Sequence, residues 1–196
     1  QIYLPELYVF GPEEIAKMDQ NINGAIQAFS QYQLRNGGFA YWPNGTSVDQ
    51  WATNYAGHFL LEAGSKGYHI PQELLAGWAD YQAQSARQNQ SGSLTQAYRL
   101  YLLALAGYPE LSAMNYMREN KLGDLGNPAK YLLAGAYELL GYDTVCRDIL
   151  KEANLDVPDY YEFGQTFGST LRDKALILDV MVGLKEYGDG IELYDY

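Results

Sequence analysis

Cysteine is nearly absent from this chain of 196 residues: Cys146 is the only one. No disulfide can close within it, and thiol content does not reveal a redox compartment. Histidine occurs twice, at His58 and His69, and cations are scarce: thirteen Lys and Arg face twenty-four Asp and Glu, for a formal charge of −11. The cations stand singly, as at Lys17, Arg35, Lys66 and Arg87. Such a surface argues against partners made of nucleic acid or anionic lipid, whose phosphates need a basic face. No stretch reaches the roughly eighteen apolar residues that would span a bilayer. The opening Gln1-Ile-Tyr-Leu-Pro-Glu-Leu has neither a basic n-region nor a cleavage site. It does not read as a natural amino terminus, which predicts a piece of a larger polypeptide.

What is present is the composition of a folded domain, 47% hydrophobic and only 19% charged. We expect a single domain over residues 1–196. Its punctuation repeats. Gly67-Tyr68, Gly107-Tyr108 and Gly141-Tyr142 each follow an apolar stretch of helical period and precede a shorter helical stretch. Glycine there can take the left-handed conformation that ends a helix. Upstream lie matching start signals around Ser47, Ser93, Asn127 and Thr170. Three of them read as capping boxes, Ser47 with Gln50, Ser93 with Gln96 and Thr170 with Asp173, while Asn127 precedes Pro128 at the first helical position.

The starts recur about every 35 to 45 residues, the mark of stacked helical hairpins that cannot bury their apolar faces alone. In each unit the first helix is the more apolar, so we expect inner helices near 47–63, 93–106, 128–140 and 170–187. The opening helix near 13–34 and those near 71–88, 110–120 and 144–154 read as an outer, more polar set. Alternating inner and outer helices predict an all-α fold, an α/α toroid of consecutive hairpins that this chain leaves incomplete.

Chemistry is sparsely signposted. Cys146, Asp143, His58 and His69 include good zinc ligands, but there is no CxxC or HxxxH and no His after Cys146. No metal or cofactor is expected, and Cys146 reads as a half-buried thiol on an outer helix. A glycosidase needs two converging carboxylates. Asp159, Glu162, Asp173 and Asp179 are candidates only by lying on loops and inner helices, and Asp173 already has a capping role. The densest feature is aromatic: Phe39, Tyr41, Trp42, Trp51 and Tyr55 fall close together with His58. On a helix Trp51, Tyr55, His58 and Glu62 share one face. That face is either a pocket wall with a His58–Glu62 polar pair or an inner-helix face packed into the core. Nineteen tyrosines are weak evidence for a ligand, because Tyr68, Tyr108 and Tyr142 sit where a ring seals a hairpin and its hydroxyl reaches water.

The run Gln33-Leu-Arg-Asn-Gly-Gly-Phe-Ala-Tyr-Trp-Pro, followed by Gly45-Thr-Ser-Val-Asp-Gln-Trp-Ala-Thr-Asn-Tyr-Ala-Gly-His-Phe-Leu-Leu-Glu-Ala, resembles the bacterial α2-macroglobulins. It is similar there to the first hairpins of their thioester-containing toroid, a fold shared with animal complement proteins and echoed by terpenoid cyclases. The opening seven residues and Gly168-Ser-Thr-Leu-Arg-Asp-Lys-Ala-Leu-Ile-Leu strengthen the resemblance, which covers essentially the whole chain.

That resemblance implies a broad-spectrum protease inhibitor of the periplasm or cell surface, which baits proteases, is cleaved and closes around them. The partners it implies are other domains of the parent and target proteases. The family's thioester joins the Cys and Gln of a Cys-x-Glu-Gln motif that would lie shortly upstream of Gln1. Cys146, followed by Arg-Asp-Ile, cannot stand in for it. Tyr41, Trp42, Trp51, Tyr55 and His58 are the candidates to face the thioester loop. Some thioester proteins carry a His after the second hairpin helix that assists transfer to hydroxyl groups; Ser85 to Ser93 contains none. The resemblance therefore implies a preference for amine nucleophiles and no catalytic residue in this chain. The rival readings are a toroid enzyme acting on a polysaccharide or isoprenoid, and a non-catalytic interaction scaffold.

Overall fold

The computed structural model describes residues 1–164 and 166–184, and within them every long element is a helix. In chain order these are α1 Leu4–Leu7, α2 Pro12–Ala28, α3 Gln50–Ser65, α4 Gln72–Gln88, α5 Ser93–Leu105, α6 Leu111–Lys121, α7 Asn127–Glu138, α8 Asp143–Leu150 and α9 Thr170–Leu184. Predicted and observed helices agree within a few residues, except that the opening helix stops at Ala28 and passes through a 3-10 turn, Phe29–Gln31. Residues 185–187 of the last predicted helix lie outside the described residues. None of the described helices is long and apolar enough to cross a membrane.

The Gly-Tyr punctuation acts as the sequence predicts. Gly67, Gly107 and Gly141 have φ of 89°, 80° and 76°. Each donates its N–H to the carbonyl three residues back, Gly64, Ala104 and Glu138, while the following Tyr donates to the carbonyl five back, Ala63, Leu103 and Tyr137. That pair of bonds is the Schellman motif, and it satisfies carbonyls the helix end would otherwise orphan. A Cβ on any of the three would meet nothing within 4 Å, so the need for glycine is conformational alone. Gly107→Ala should cost about 1 kcal/mol, with Gly107→Asn losing less. Urea unfolding checks this, and an alanine variant as stable as the parent chain would show that the cap contributes nothing.

The start signals were placed too early or assigned to the wrong atoms. Asp49 caps α3, its Oδ1 accepting the Ala52 N–H at 2.7 Å, so Ser47 and Gln50 form no box. Gly92 precedes α5 without a side-chain cap, and Gln96 is instead drawn into the core. Ser169 caps α9 by accepting the Arg172 N–H at 3.1 Å. Thr170 meanwhile donates to the Pro158 carbonyl and Asp173 accepts from the Tyr160 hydroxyl. At α3 a neighbouring residue is the better-placed local cap, whereas Gln96, Thr170 and Asp173 are taken by partners ten or more residues away. Gly126, not Asn127, precedes α7, so Pro128 stands at its second position rather than its first, and the Asn127 side chain bonds Asn154 and the Asp156 carbonyl instead of capping the helix.

Backbone contacts divide the chain into two compact units, residues 1–81 and residue 82 onward. In the first, α2 buries only Met18, Ile22 and Ile26, one stripe at four-residue spacing. α3 buries Trp51, Thr53, Asn54, Ala56, Gly57, Leu60 and Ala63. Gly57 admits Trp78 of α4, whose Nε1 donates to the Thr53 carbonyl at 2.9 Å.

In the second unit α5 and α7 are buried nearly all round, from Thr95 to Ala104 and from Pro128 to Tyr137. Leu100, Leu102, Leu103, Leu132 and Leu133 are fully enclosed, each contributing roughly 2 kcal/mol relative to exposure. α6 and α8 bury two residues apiece, Met114 with Met117 and Cys146 with Ile149. The apolar-first, polar-second alternation therefore holds, although Cys146 is wholly buried rather than half-buried.

Candidate functional site: an aromatic groove on the first unit

The groove begins with a tight reversal after the 3-10 turn. Gly37, at φ 88°, lets the chain fold back so that Leu34 N–H bonds the Gly38 carbonyl at 2.8 Å and Ala40 N–H bonds the Tyr32 carbonyl at 2.8 Å. Gln33 clamps the reversal by donating to the carbonyls of Gly37 and Leu74 at 3.1 and 2.9 Å. A Cβ on Gly37 would lie 1.9 Å from the Gly77 oxygen, so no other residue fits. The bridge between Gln33 and Phe39 holds Phe39 in the core, its N–H bonded to Thr53 Oγ1 at 2.9 Å.

The concavity behind Phe39 has a volume of about 370 Å³ and is lined chiefly by Phe29, Tyr32, Phe39, Tyr41, Tyr55 and Phe59. Phe29 is its hub, with ring centroids 5.4 Å from Phe39 and 5.6 Å from Phe59, distances at which edge-to-face and tilted rings attract. Almost no polar surface lines it. It can shield or dock apolar atoms; it supplies no nucleophile and no acid–base pair.

Of the five residues singled out from sequence, Tyr41 and Tyr55 line this groove. Trp42 stacks edge-on against Tyr41 at 5.0 Å but stands 71% exposed, beside the groove rather than in it. Trp51 is buried at the first turn of α3. His58 Nε2 lies 3.7 Å from Glu62, and Glu62 in turn accepts from the Tyr3 hydroxyl while Glu6 pairs with Lys66. The His58–Glu62 pair is thus half-buried and linked to the amino-terminal segment. At 100° per residue the buried set of Thr53, Gly57 and Leu60 lies opposite Tyr55, His58 and Glu62, so beyond the buried Trp51 at its start that stripe is not the core face of α3.

Phe29, Tyr32 and Phe59 were not picked out by sequence reasoning. Phe59 follows Tyr55 by one helical turn, a signal that was available; Phe29 enters only because the chain reverses after it.

A second concavity, of about 700 Å³, lies in the second unit between the starts of α5 and α7 and residues 154–160. Of the four candidate carboxylates only Asp173 lines it. Asp173 is buried and both its oxygens are engaged, by the Tyr160 hydroxyl at 2.7 Å and Arg172 Nε at 2.6 Å. Glu162 accepts from the Thr166 hydroxyl at 2.6 Å, which holds its carboxyl below the usual range. Asp156 lines the concavity as well, but Asp173 is already committed to Tyr160 and Arg172. Among the described residues no three metal-ligating side chains gather.

Burial, and next the bond to Asp173, push the Tyr160 phenol above its ordinary value of 10.0. The neutral phenol is the form the fold favours, so its contribution is fully present below that ordinary value and is lost as pH rises through the raised one. The stability difference between the chain and Tyr160→Phe should therefore be constant at neutral pH and shrink in strong alkali. Urea unfolding across that range measures it.

No protein-family model matches the chain. In sequence it is 27% identical over 180 residues to α2-macroglobulin of Escherichia coli strain K12, a match covering 84% of this chain and 11% of that protein. In structure it superposes on E. coli α2-macroglobulin activated by porcine elastase with a TM-score of 0.78 at 23% identity, covering 91% of this chain and 17% of that one. Native E. coli α2-macroglobulin, from domain MG7 to the C-terminus, matches with a TM-score of 0.77 at 24% identity, over 87% of this chain and 29% of the other. Salmonella α2-macroglobulin reacted with methylamine gives 0.71 at 24%, over 80% and 11%. The structural likenesses establish a shared fold, and the sequence match falls on the same kind of protein; this chain is similar in sequence and in fold to one segment of the bacterial α2-macroglobulins.

Proposed function

We propose that this chain is the thioester-type domain of a bacterial protease trap, closing as an α/α toroid within a much longer polypeptide. The observation that carries this is the coincidence of sequence and fold similarity on one protein, α2-macroglobulin, along more than four fifths of the chain. E. coli relatives are described as trypsin-activated and elastase-activated. On this reading the parent is an inhibitor, not an enzyme, at the cell envelope, and its partners are its own other domains and attacking proteases.

Within that scheme the aromatic groove is the face that packs against the reactive loop. Tyr41 and Tyr55 present phenol rings at its mouth, and apolar rings exclude the water that would hydrolyse an activated acyl group. Cys146 takes no part, because it is buried in α8. The test is to challenge the full-length parent with trypsin: a trap leaves the bound protease active on a small peptide ester and inactive on a large protein. Equal loss of both activities would mean simple active-site inhibition.

If the parent carries the thioester, an amine opens it without a general base, whereas a hydroxyl needs one. No His lies in Ser85 to Ser93, and the Salmonella relative reacts with methylamine. Methylamine should release a thiol from the parent far faster than glycerol does; equal rates would sink this part of the reading.

A further inference from the structure

We propose that the aromatic groove of the first unit binds a small trimethylammonium alcohol of the choline type, a cation that carries no anionic group. The inference goes beyond the proposed function and does not rest on it, since it needs only the groove. Six rings line the space, Phe29, Tyr32, Phe39, Tyr41, Tyr55 and Phe59, and no Lys or Arg does. Phe29 meets Tyr32, Phe39 and Phe59 at interplanar angles of 62°, 79° and 45°, so the walls face in several directions instead of stacking in parallel. The face of an aromatic ring is electron-rich, and a cation within about 6 Å of its centroid is held more strongly once it has left water.

The lining also selects the kind of cation. A Lys or Arg head brings several N–H donors, each of which costs free energy when buried without an acceptor, and almost no polar surface lines the groove. A quaternary ammonium has no N–H to satisfy. Its charge is spread over methyl groups, which pack on the rings as hydrocarbon does. The volume of about 370 Å³ lies in the range of small-molecule sites and leaves room for the carbons attached to the head.

Charge complements the rings and decides what else the ligand can carry. Asp49 donates its N–H to the Phe39 carbonyl at 2.9 Å, and its Oδ1 accepts the Ala52 N–H at 2.7 Å; Phe39 and Ala52 both line the groove. Helical geometry keeps Asp49, at the cap of α3, on the same side of that helix as Ala52, Ala56 and Phe59. Capping engages one carboxylate oxygen and leaves the negative charge at this end of the groove. The same charge, in a chain of formal charge −11, repels the phosphate of a phosphocholine lipid and the carboxylate of a betaine. The alcohol has neither.

The experiment is calorimetric titration of this chain at low ionic strength with choline and with its neutral isostere, in which a tert-butyl group replaces trimethylammonium. The proton spectrum of each ligand is recorded alongside. Choline should bind roughly tenfold tighter than the isostere, with its N-methyl resonance moved upfield by the ring faces. Tyr55→Leu, at an exposed position, should weaken choline severalfold and leave the helical unfolding transition unchanged. Asp49→Asn, which preserves the cap, should weaken choline and leave the isostere as it was. Equal affinity for the isostere overturns the proposal, because the groove would then be hydrophobic only. So does the absence of any choline titration, and so does tighter binding of phosphatidylcholine vesicles, which would make the ligand a lipid surface. Binding is read on this chain and trapping on the parent, so either proposal can fail alone.

Discussion

Gly57→Ala should destabilise the first unit by about 3 to 5 kcal/mol, as large as a major core truncation. Two effects oppose each other. Alanine in a helix interior gains roughly 1 kcal/mol over glycine. Against that, the added Cβ would lie 2.1 to 2.4 Å from the Trp78 ring, and Trp78 is fully buried with its Nε1 donating to the Thr53 carbonyl. Either α3 and α4 separate, losing packing along their contact, or the indole leaves its slot and forfeits the hydrogen bond. Both exceed the propensity gain, so the sign is destabilising. Pairing the change with Trp78→Leu should recover part of the loss by opening the slot. An alanine variant as stable as the parent chain by chemical denaturation would falsify the close approach.

Arg99→Ala should be comparably severe, roughly 3 to 5 kcal/mol, for a different reason. Arg99 is fully buried in α5, its Nε bonded to Gln82 Oε1 at 2.9 Å and its NH1 to Ser91 Oγ at 2.7 Å and Gln96 Oε1 at 2.6 Å. Gln96 passes the network on to the Ala86 carbonyl at 2.8 Å. Removing the guanidinium strands buried acceptors and leaves a cavity. Arg99→Met separates the two costs by keeping most of the volume. Arg99→Lys should rescue less than half, because one ammonium cannot reach acceptors that a planar fork meets in different directions. Thermal unfolding of the three variants orders them; a methionine variant matching the parent chain would show that the polar network adds no stability.

These two positions also show where sequence reading stopped. The apolar run through α5 is legible as a buried helix, but its pattern carries no sign of the partners of Arg99, since Gln82 and Ser91 lie outside the helix. Nothing in the residues around Gly57 points to Trp78, twenty-one residues later in the sequence, as the ring packed against it. The stripe of Trp51, Tyr55, His58 and Glu62 was correctly placed on one helix face, but periodicity alone could not say whether that face or its opposite met the core. The capping boxes failed similarly: Gln96 and Asp173 are near enough to serve their helix starts, and both were taken by longer-range partners.

The long helices, their order and the ends of those closed by Gly67, Gly107 and Gly141 are legible in the residues alone, because left-handed glycines, prolines and apolar period act within a few residues of each other; the short α1 and the early end of α2 at Ala28 are not. The sequence also carried the family resemblance, which fold comparison supports. Only the tertiary structure decided which face of α3 is buried, that Phe29 and Phe59 complete the aromatic groove with Tyr41 and Tyr55, and that Asp173 and Arg99 serve networks rather than caps or surface. Those outcomes depend on contacts between residues distant along the chain, and a local pattern carries no information about the partner until the fold brings it within a few ångströms.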